Sequence, residues 1–309
     1  MKTGLLFPGQ GSQHVGMGQA LAERFAEARD TFAEADDTLG FGLSGLAWEG
    51  PEEVLTATEN AQPALFVHSV AAYRVVRARI GTVAGAAGHS LGELSAHAAA
   101  GTYSFADGLR AVRRRGQLMA RAGEETPGTM AAILGLGVDR VDELCREAER
   151  QGHTLVAANL NADGQVVVSG DVWGISWVAT AAKSRGARRI MPLKVSAAFH
   201  SPLMGPAAEQ FAAALNGIRF RRPSFPVVSN VTARAVDDPD RIRELLVRQL
   251  TAPVRWIECV EALRSLGASR FAELGPGKVL AGLNRRNARG IPTLALGTPG
   301  SIESLEQRT

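Results

Sequence analysis

Gly88-His89-Ser90-Leu91-Gly92-Glu93 reads Gly-x-Ser-x-Gly, the pattern of a nucleophile elbow. In such an elbow a serine sits on a tight turn between a strand and a helix. Gly88 and Gly92 leave room for the turn and for close strand–helix packing. Val83 to Ala87, just before it, is small and apolar, as the end of a buried strand is. Glu93 to Ala100, just after it, is Ala-rich and suits a helix. A helix starting there aims free N–H groups and a positive dipole end at the serine oxygen. A pattern with three fixed positions also occurs in plain turns, so the rest of the chain has to decide between the two.

Working outward, the 309 residues suffice for one large domain or two modest ones. A hydrophobic content of 45% and a charged content of 21% are ordinary for a globular protein. No apolar run approaches the roughly 20 residues of a membrane span. Met1 to Phe7 is too short for a secretory signal and reads as a first strand, so the expected location is the cytoplasm, with no membrane partner. Net charge is +3, too small to argue for nucleic acid. Cys145 and Cys259 form no C-x-x-C pair, and the six histidines show no metal spacing, so no metal is expected.

Lys2 to Phe7 runs straight into Pro8-Gly9-Gln10-Gly11-Ser12-Gln13. Such a loop brings backbone N–H groups close to an anion, but no phosphate-binding motif is completed here. Met17 to Leu39 and Ala61 to Ile80 have helical periodicity. Ser104-Phe105-Ala106-Asp107 is a capping-box-like start for a helix through Arg121. That helix carries Arg113, Arg114 and Arg115; a run of this kind is ordinarily a solvated face.

From about Gly128 the rhythm changes. Met130–Leu136, Leu155–Asn159, Gln165–Ser169 and Arg189–Val195 read as strands, and Val138–Gln151 and Val172–Arg185 as helices. Asn161-Ala162-Asp163-Gly164 is the turn between the middle strands. The order is β-α-β-β-α-β, a split βαβ arrangement. Strands and helices then alternate to the end: helices over Pro202–Leu215, Arg241–Leu250, Trp256–Leu266 and Val279–Arg286, with short strands at Pro226–Ser229, Arg270–Leu274 and Thr293–Leu296. The expected fold class is α/β with a mostly parallel sheet. Residues 1–126 and 197–309 form the large domain and residues 127–196 a small inserted one.

Several of these stretches together resemble the malonyl-CoA:acyl carrier protein transacylases and the acyltransferase domains of polyketide synthases. The stretches are Phe7-Pro-Gly-Gln-Gly-Ser-Gln13, Gly88-His-Ser-Leu-Gly-Glu93, Arg115-Gly116, Ala198-Phe199-His200-Ser201, Gln249-Leu-Thr-Ala-Pro-Val254 and Glu273-Leu-Gly-Pro-Gly-Lys278. They stand in the family's order and span nearly the whole chain. The resemblance implies a hydrolase-like large domain with a ferredoxin-like insertion. It implies that Ser90 is the acyl-accepting nucleophile and His200 its base. It implies that Gln10 and Leu91 give the backbone N–H pair of an oxyanion hole. Arg115 would clamp the free carboxylate of a malonyl group, which a guanidinium does bidentately. Phe199 and His89 would line the acyl site, with Phe199 filling the space an α-methyl group needs. A backbone carbonyl near Gln249 would orient His200, with Gln249 and Asn230 in supporting places. Ala197 stands where malonyl-selective polyketide acyltransferases usually have histidine.

The implied reaction is a ping-pong transfer of malonyl from malonyl-CoA to the phosphopantetheine thiol of an acyl carrier protein, serving fatty acid or polyketide synthesis. The implied enzyme has no cofactor of its own; phosphopantetheine comes on the partner. A monomer is expected, and arginines among Arg285, Arg286 and Arg289 are candidates for docking an acidic carrier. The alternatives are a serine thioester hydrolase, an acyltransferase for larger acyl groups, and a non-catalytic carrier-binding scaffold. Arg115 speaks against the first two, and the joint presence of Ser90, His200 and Arg115 against the third.

Overall fold

The protein, seen here as a computed structural model, is described over residues 1–195 and 197–306. The expected ends of the two domains, residues 196 and 309, lie outside the described residues. Among the described residues ten strands fall into two sheets: β1 (Lys2–Phe7), β2 (Thr82–Gly88), β3 (Gly128–Leu134), β4 (Leu155–Ala162), β5 (Gln165–Asp171), β6 (Arg189–Pro192), β7 (Val227–Val228), β8 (Ala235–Val236), β9 (Arg270–Glu273) and β10 (Thr293–Ala295). The larger sheet has the order β10-β9-β1-β2-β7-β8. Every pair in it is parallel except β7–β8 at the edge. The smaller sheet, β4-β5-β3-β6, is antiparallel throughout. The chain is therefore mixed α/β, with one largely parallel and one separate antiparallel sheet.

β1 is central because it is apolar on both faces, with Leu5, Leu6 and Phe7 fully buried. Phe7 pairs with Gly88 at the C-terminal ends of β1 and β2. The chain leaves β1 toward β2 on one side, while β9 arrives on the other. A crevice outside the carboxyl ends of the strands at such a point is where open α/β sheets bind ligands.

The helix Thr58–Val76 is apolar over most of its surface and almost wholly buried, carrying Gln62, His68 and Ser69 into the core with it. Pro63 inside it cannot donate to the carbonyl of Glu59 one turn earlier. Arg113 Nη1 supplies that hydrogen bond instead and also donates to Asn60 Oδ1 at 2.6 Å. Arg113 is thus half-buried and engaged with the neighbouring helix, a correction to the expected solvated face; Arg114 is exposed, as expected. The helix Phe105–Glu125 starts at Ser104, whose hydroxyl accepts from the Asp107 N–H at 3.1 Å.

In the smaller sheet, side chains alternate between two cores. Ala131, Ile133, Val166 and Val168 face the helices Val138–Arg150 and Val172–Ser184. Met130, Ala132 and Val167 face the main core. β4 is stitched to the large body through Val254, which accepts from Leu160 N and donates to Ala158 O, both at 2.9 Å.

Some boundaries differ from the sequence reading. Residues 17–39 are not one helix: Phe25 is extended (φ −122°, ψ 128°) between Gln19–Arg24 and Ala26–Leu39. The last strand of the small sheet stops at Pro192, where a ladder donor is missing. β4 continues to Ala162, so the turn is only Asp163-Gly164.

Candidate active site

Ser90 caps the helix Leu91–Ala99 with φ 52° and ψ −110°, a conformation L-residues avoid. His200 is also left-handed, at φ 59°. Each such residue costs about 1–3 kcal/mol and persists only where its surroundings hold it. For Ser90 the holding is visible. A Cβ on Gly88 would lie 1.8 Å from the carbonyl carbon of Gly92, and one on Gly92 would lie 2.1 Å from Phe7 O. Strand, turn and helix touch backbone to backbone. The Ser90 N–H donates to Asn230 Oδ1 at 2.8 Å, and Asn230 Nδ2 donates to Gly88 O at 2.7 Å. One amide therefore bridges both sides of the turn.

Three groups converge on this elbow. Ser90 Oγ lies 2.7 Å from His200 Nε2. His200 Nδ1 lies 2.8 Å from the carbonyl oxygen of Gln249, which can only accept, so Nδ1 carries the proton and Nε2 presents its lone pair to the serine. Burial, then the nearby charge of Arg115, lowers the imidazole from 6.5 to about 3. It is neutral at physiological pH and able to take a proton. The third group is Arg115, 1% exposed, whose Nη2 donates to Ser90 Oγ at 3.1 Å and to Gln249 Oε1 at 3.0 Å. Its Nη1 donates to Gln62 Oε1 at 2.7 Å, and its Nε–H has no partner. Burial lowers this guanidinium only to about 10, so it stays charged.

A cleft of about 430 Å3 opens onto these groups and is also lined by Gln10, Leu91, His89, Met130 and Phe199. Leu91 is the first residue of its helix, so its N–H has no intrahelical acceptor. Phe199 is buried against the cleft wall. The arrangement can deprotonate a hydroxyl, receive a developing oxyanion beside it and hold an anion within reach of both.

The chain matches the acyl transferase domain family over residues 5–293. It is 43% identical over 302 residues to the malonyl CoA-acyl carrier protein transacylase of Bacillus subtilis, covering 98% of this chain and 95% of that one. It is 43% identical over 298 residues to the enzyme of the same name from Escherichia coli K12, covering 96% of each.

The chain belongs to the acyl transferase domain family.

Solved structures agree. An acyl-carrier-protein-S-malonyltransferase from Bartonella henselae superimposes on this acyltransferase with a TM-score of 0.94 at 43% identity, over 100% of this chain and 99% of that one. A malonyl-transacylase in complex with its type II PKS acyl-carrier protein superimposes at 0.96 and 41% identity, covering both chains fully.

The acyltransferase gathers the residues expected of the catalytic and acyl sites around Ser90, but not the three arginines considered for docking. His89 is held from two sides: Nε2 lies 2.8 Å from Asn161 Oδ1, and the ring packs on Trp256 at 5.4 Å. Burial lowers its pKa, and the Asn161 bond partly restores it. Gln249 works twice, through its carbonyl on His200 and through its side-chain amide. That amide donates to Ser90 O at 3.0 Å and to Glu93 Oε2 at 2.6 Å. Sequence reasoning did not single out Gln62, Glu93 or Asn161. Glu93 closes the elbow motif, Asn161 reads from sequence only as the start of a turn, and Gln62 carries no local signal. Of the arginines considered for docking, Arg286 is engaged within the chain, donating to Asp163 O at 3.3 Å and to the Gln165 side chain. Arg285 and Arg289 line a separate hollow. Among the described residues no helix is long and apolar enough to cross a membrane.

Proposed function

We propose that this acyltransferase moves a malonyl group from malonyl-CoA to the phosphopantetheine thiol of an acyl carrier protein, through an acyl-Ser90 intermediate. The observation that carries this is Arg115: a buried, charged guanidinium with an unspent Nε–H, donating to the same oxygen that His200 is set to deprotonate. An enzyme for neutral acyl groups has no use for a buried cation there, because desolvating it is costly without an anion to receive.

His200 Nε2 takes the Ser90 proton as Oγ attacks the thioester carbonyl. The oxyanion forms between the N–H groups of Gln10 and Leu91, where one donor is worth about 3 kcal/mol of transition-state stabilisation. As the C–S bond breaks, His200 returns the proton to the departing coenzyme A thiolate. The carrier's thiol then gives its proton to His200 and attacks the malonyl ester, and Ser90 leaves with that proton. The Gln249 carbonyl keeps the imidazole oriented throughout, so the scheme needs no third acid. Arg115 takes the malonyl carboxylate, and Phe199 and His89 bound the acyl site. Malonyl-CoA is a substrate, and phosphopantetheine arrives on the carrier, so no resident cofactor enters the scheme.

The strand order β4-β5-β3-β6 with two helices on one face supports a ferredoxin-like small domain over residues 127–196, inserted in a hydrolase-like large one. Intact-protein mass after mixing with malonyl-CoA, methylmalonyl-CoA or acetyl-CoA tests the function. Wild type should gain a malonyl adduct that Ser90→Ala abolishes and Arg115→Ala weakens for malonyl in particular. No adduct with any of the three rejects the proposal and returns a thioester hydrolase or a carrier-bound donor to consideration.

A further inference from the structure

Among the described residues Arg115 is a buried cation in no ion pair, and the elbow holds one buried anion-forming group that the transfer scheme does not use. Glu93 is 1% exposed and sits one turn beyond the nucleophile. Its Oε2 accepts from Asn230 N at 3.0 Å and from Gln249 Nε2 at 2.6 Å. Gln249 in turn presents Oε1 to Arg115 Nη2 at 3.0 Å. The order guanidinium, amide, carboxyl is a relay: donor to the amide oxygen at one end, amide N–H to the carboxylate at the other. Such a chain polarises along its length and links the two charges without contact between them.

We propose that Glu93 is the counter-charge of Arg115, joined to it through the Gln249 amide, and that it takes up a proton from solvent when the free carboxylate of an acyl group binds at Arg115. The buried site then exchanges one carboxylate for another and keeps a single net anion beside its single cation. Glu93 is a positioning residue in this account, since it touches neither substrate nor the reacting atoms. The inference rests on Arg115 being the carboxylate clamp.

The local chemistry permits the exchange. Oε2 takes the Asn230 and Gln249 hydrogen bonds, so a proton on Oε1 leaves the link to Gln249 intact. Burial raises the Glu93 carboxyl from 4.5 to about 7, while bonds from Asn230, Gln249 and Ser229 and the charge of Arg115 oppose the rise. A group so poised is tipped toward its acid form by a second negative charge nearby. The other titratable groups that face it cannot supply the compensation. Burial holds the Tyr103 hydroxyl and the Cys259 thiol protonated, each with Glu93 adding to the upward shift. His200 is already neutral and feels the positive field of Arg115.

The test compares kcat/KM for malonyl-CoA and acetyl-CoA against pH in wild type, Glu93→Gln and Arg115→Ala. In wild type the malonyl-to-acetyl ratio should fall between about pH 7.5 and 8.5, approaching tenfold per pH unit, because malonyl binding alone consumes a proton. Glu93→Gln keeps an acceptor oxygen but cannot titrate, so its ratio should stay flat. A purely structural Glu93 would leave the wild-type ratio flat as well. Proton uptake in a single turnover of wild type, followed with a pH indicator, decides the matter even if the variant does not fold. Acylation is proton-neutral, since the Ser90 proton leaves on coenzyme A, and the released thiol ionises equally with both donors. More uptake with malonyl-CoA than with acetyl-CoA supports the inference; equal uptake overturns it. Selective loss of malonyl transfer in Arg115→Ala, beside a flat wild-type ratio, rejects this inference alone. No selective loss in Arg115→Ala removes the clamp and this inference with it.

Discussion

Asn161 Oδ1 lies 2.8 Å from His89 Nε2, which ties the antiparallel sheet to the residue immediately before the nucleophile. The small sheet therefore does more than wall the cleft. Asn287 Nδ2 holds the same residue of β4 through its backbone, donating to Asn161 O at 2.8 Å. Asn161→Ala leaves the buried His89 N–H without an acceptor, which costs about 1–3 kcal/mol. Thermal unfolding should show the loss, and acylation should slow more than the drop in stability explains, because the His89 backbone sets where Ser90 begins.

Arg115→Lys keeps the charge and loses the geometry. One ammonium cannot hold Gln62, Gln249 and Ser90 together as the guanidinium does. Expected is a fall of about 10- to 100-fold in kcat/KM for malonyl-CoA, with a smaller change for acetyl-CoA. Equal losses with both donors would show that the arginine positions Ser90 and does not read the carboxylate.

The pH profile follows from the sign of the His200 shift. A base lowered from 6.5 to about 3 is still unprotonated well below neutrality. The kcat/KM for acetyl-CoA, which carries no carboxylate for Arg115, should hold level from pH 7 down to about 5. An inflection near the ordinary histidine value would mean that the free enzyme's imidazole is far more solvated than its burial indicates.

Phe199, next to His200 in sequence, is buried and lines the cleft. Phe199→Ala removes most of a ring from that wall. Discrimination between malonyl-CoA and methylmalonyl-CoA, read as a ratio of kcat/KM values, should drop about tenfold, as befits one methyl group. An unchanged ratio would assign size selection to another wall residue, Met130 or Leu193.

Much of this arrangement could be read before folding, and the reasons are local. β1, β2 and the elbow that follows β2 announce themselves because apolar runs end in glycines that only a tight turn requires. The split βαβ order of residues 128–192 follows from a switch in hydrophobic period. The break at Phe25 was not legible, because Leu21, Phe25, Ala28 and Phe32 keep helical spacing across it. The short helices Leu43–Glu49 and Glu52–Thr56 and the two-residue β8 are too brief for periodicity to register. In the site, Gln62 was hidden within an apolar helix, where a lone amide looks incidental. Arg113 was misjudged because the cause of its burial, the carbonyl that Pro63 leaves open, lies about 50 residues away in sequence.

Gly92→Ala should be far more damaging than its single methyl suggests. The added carbon falls 2.1 Å from Phe7 O, which is backbone and has no rotamer to change. A destabilisation above about 4 kcal/mol is expected, visible as lost soluble protein or a collapsed unfolding midpoint.

That seam of bare backbone has a consequence for anyone re-engineering the enzyme. Where two strands and a helix meet with no side chain between them, there is nothing to resize, and the turn bearing Ser90 behaves as a fixed anvil. The opposing cleft surface is built differently: Met130 comes from the antiparallel sheet, and Leu193 and Phe199 from the chain that leaves it, all as replaceable side chains. A library aimed at new acyl groups is best spent on that face, where volume can be traded residue by residue while the hammer stroke of the chemistry stays where it is.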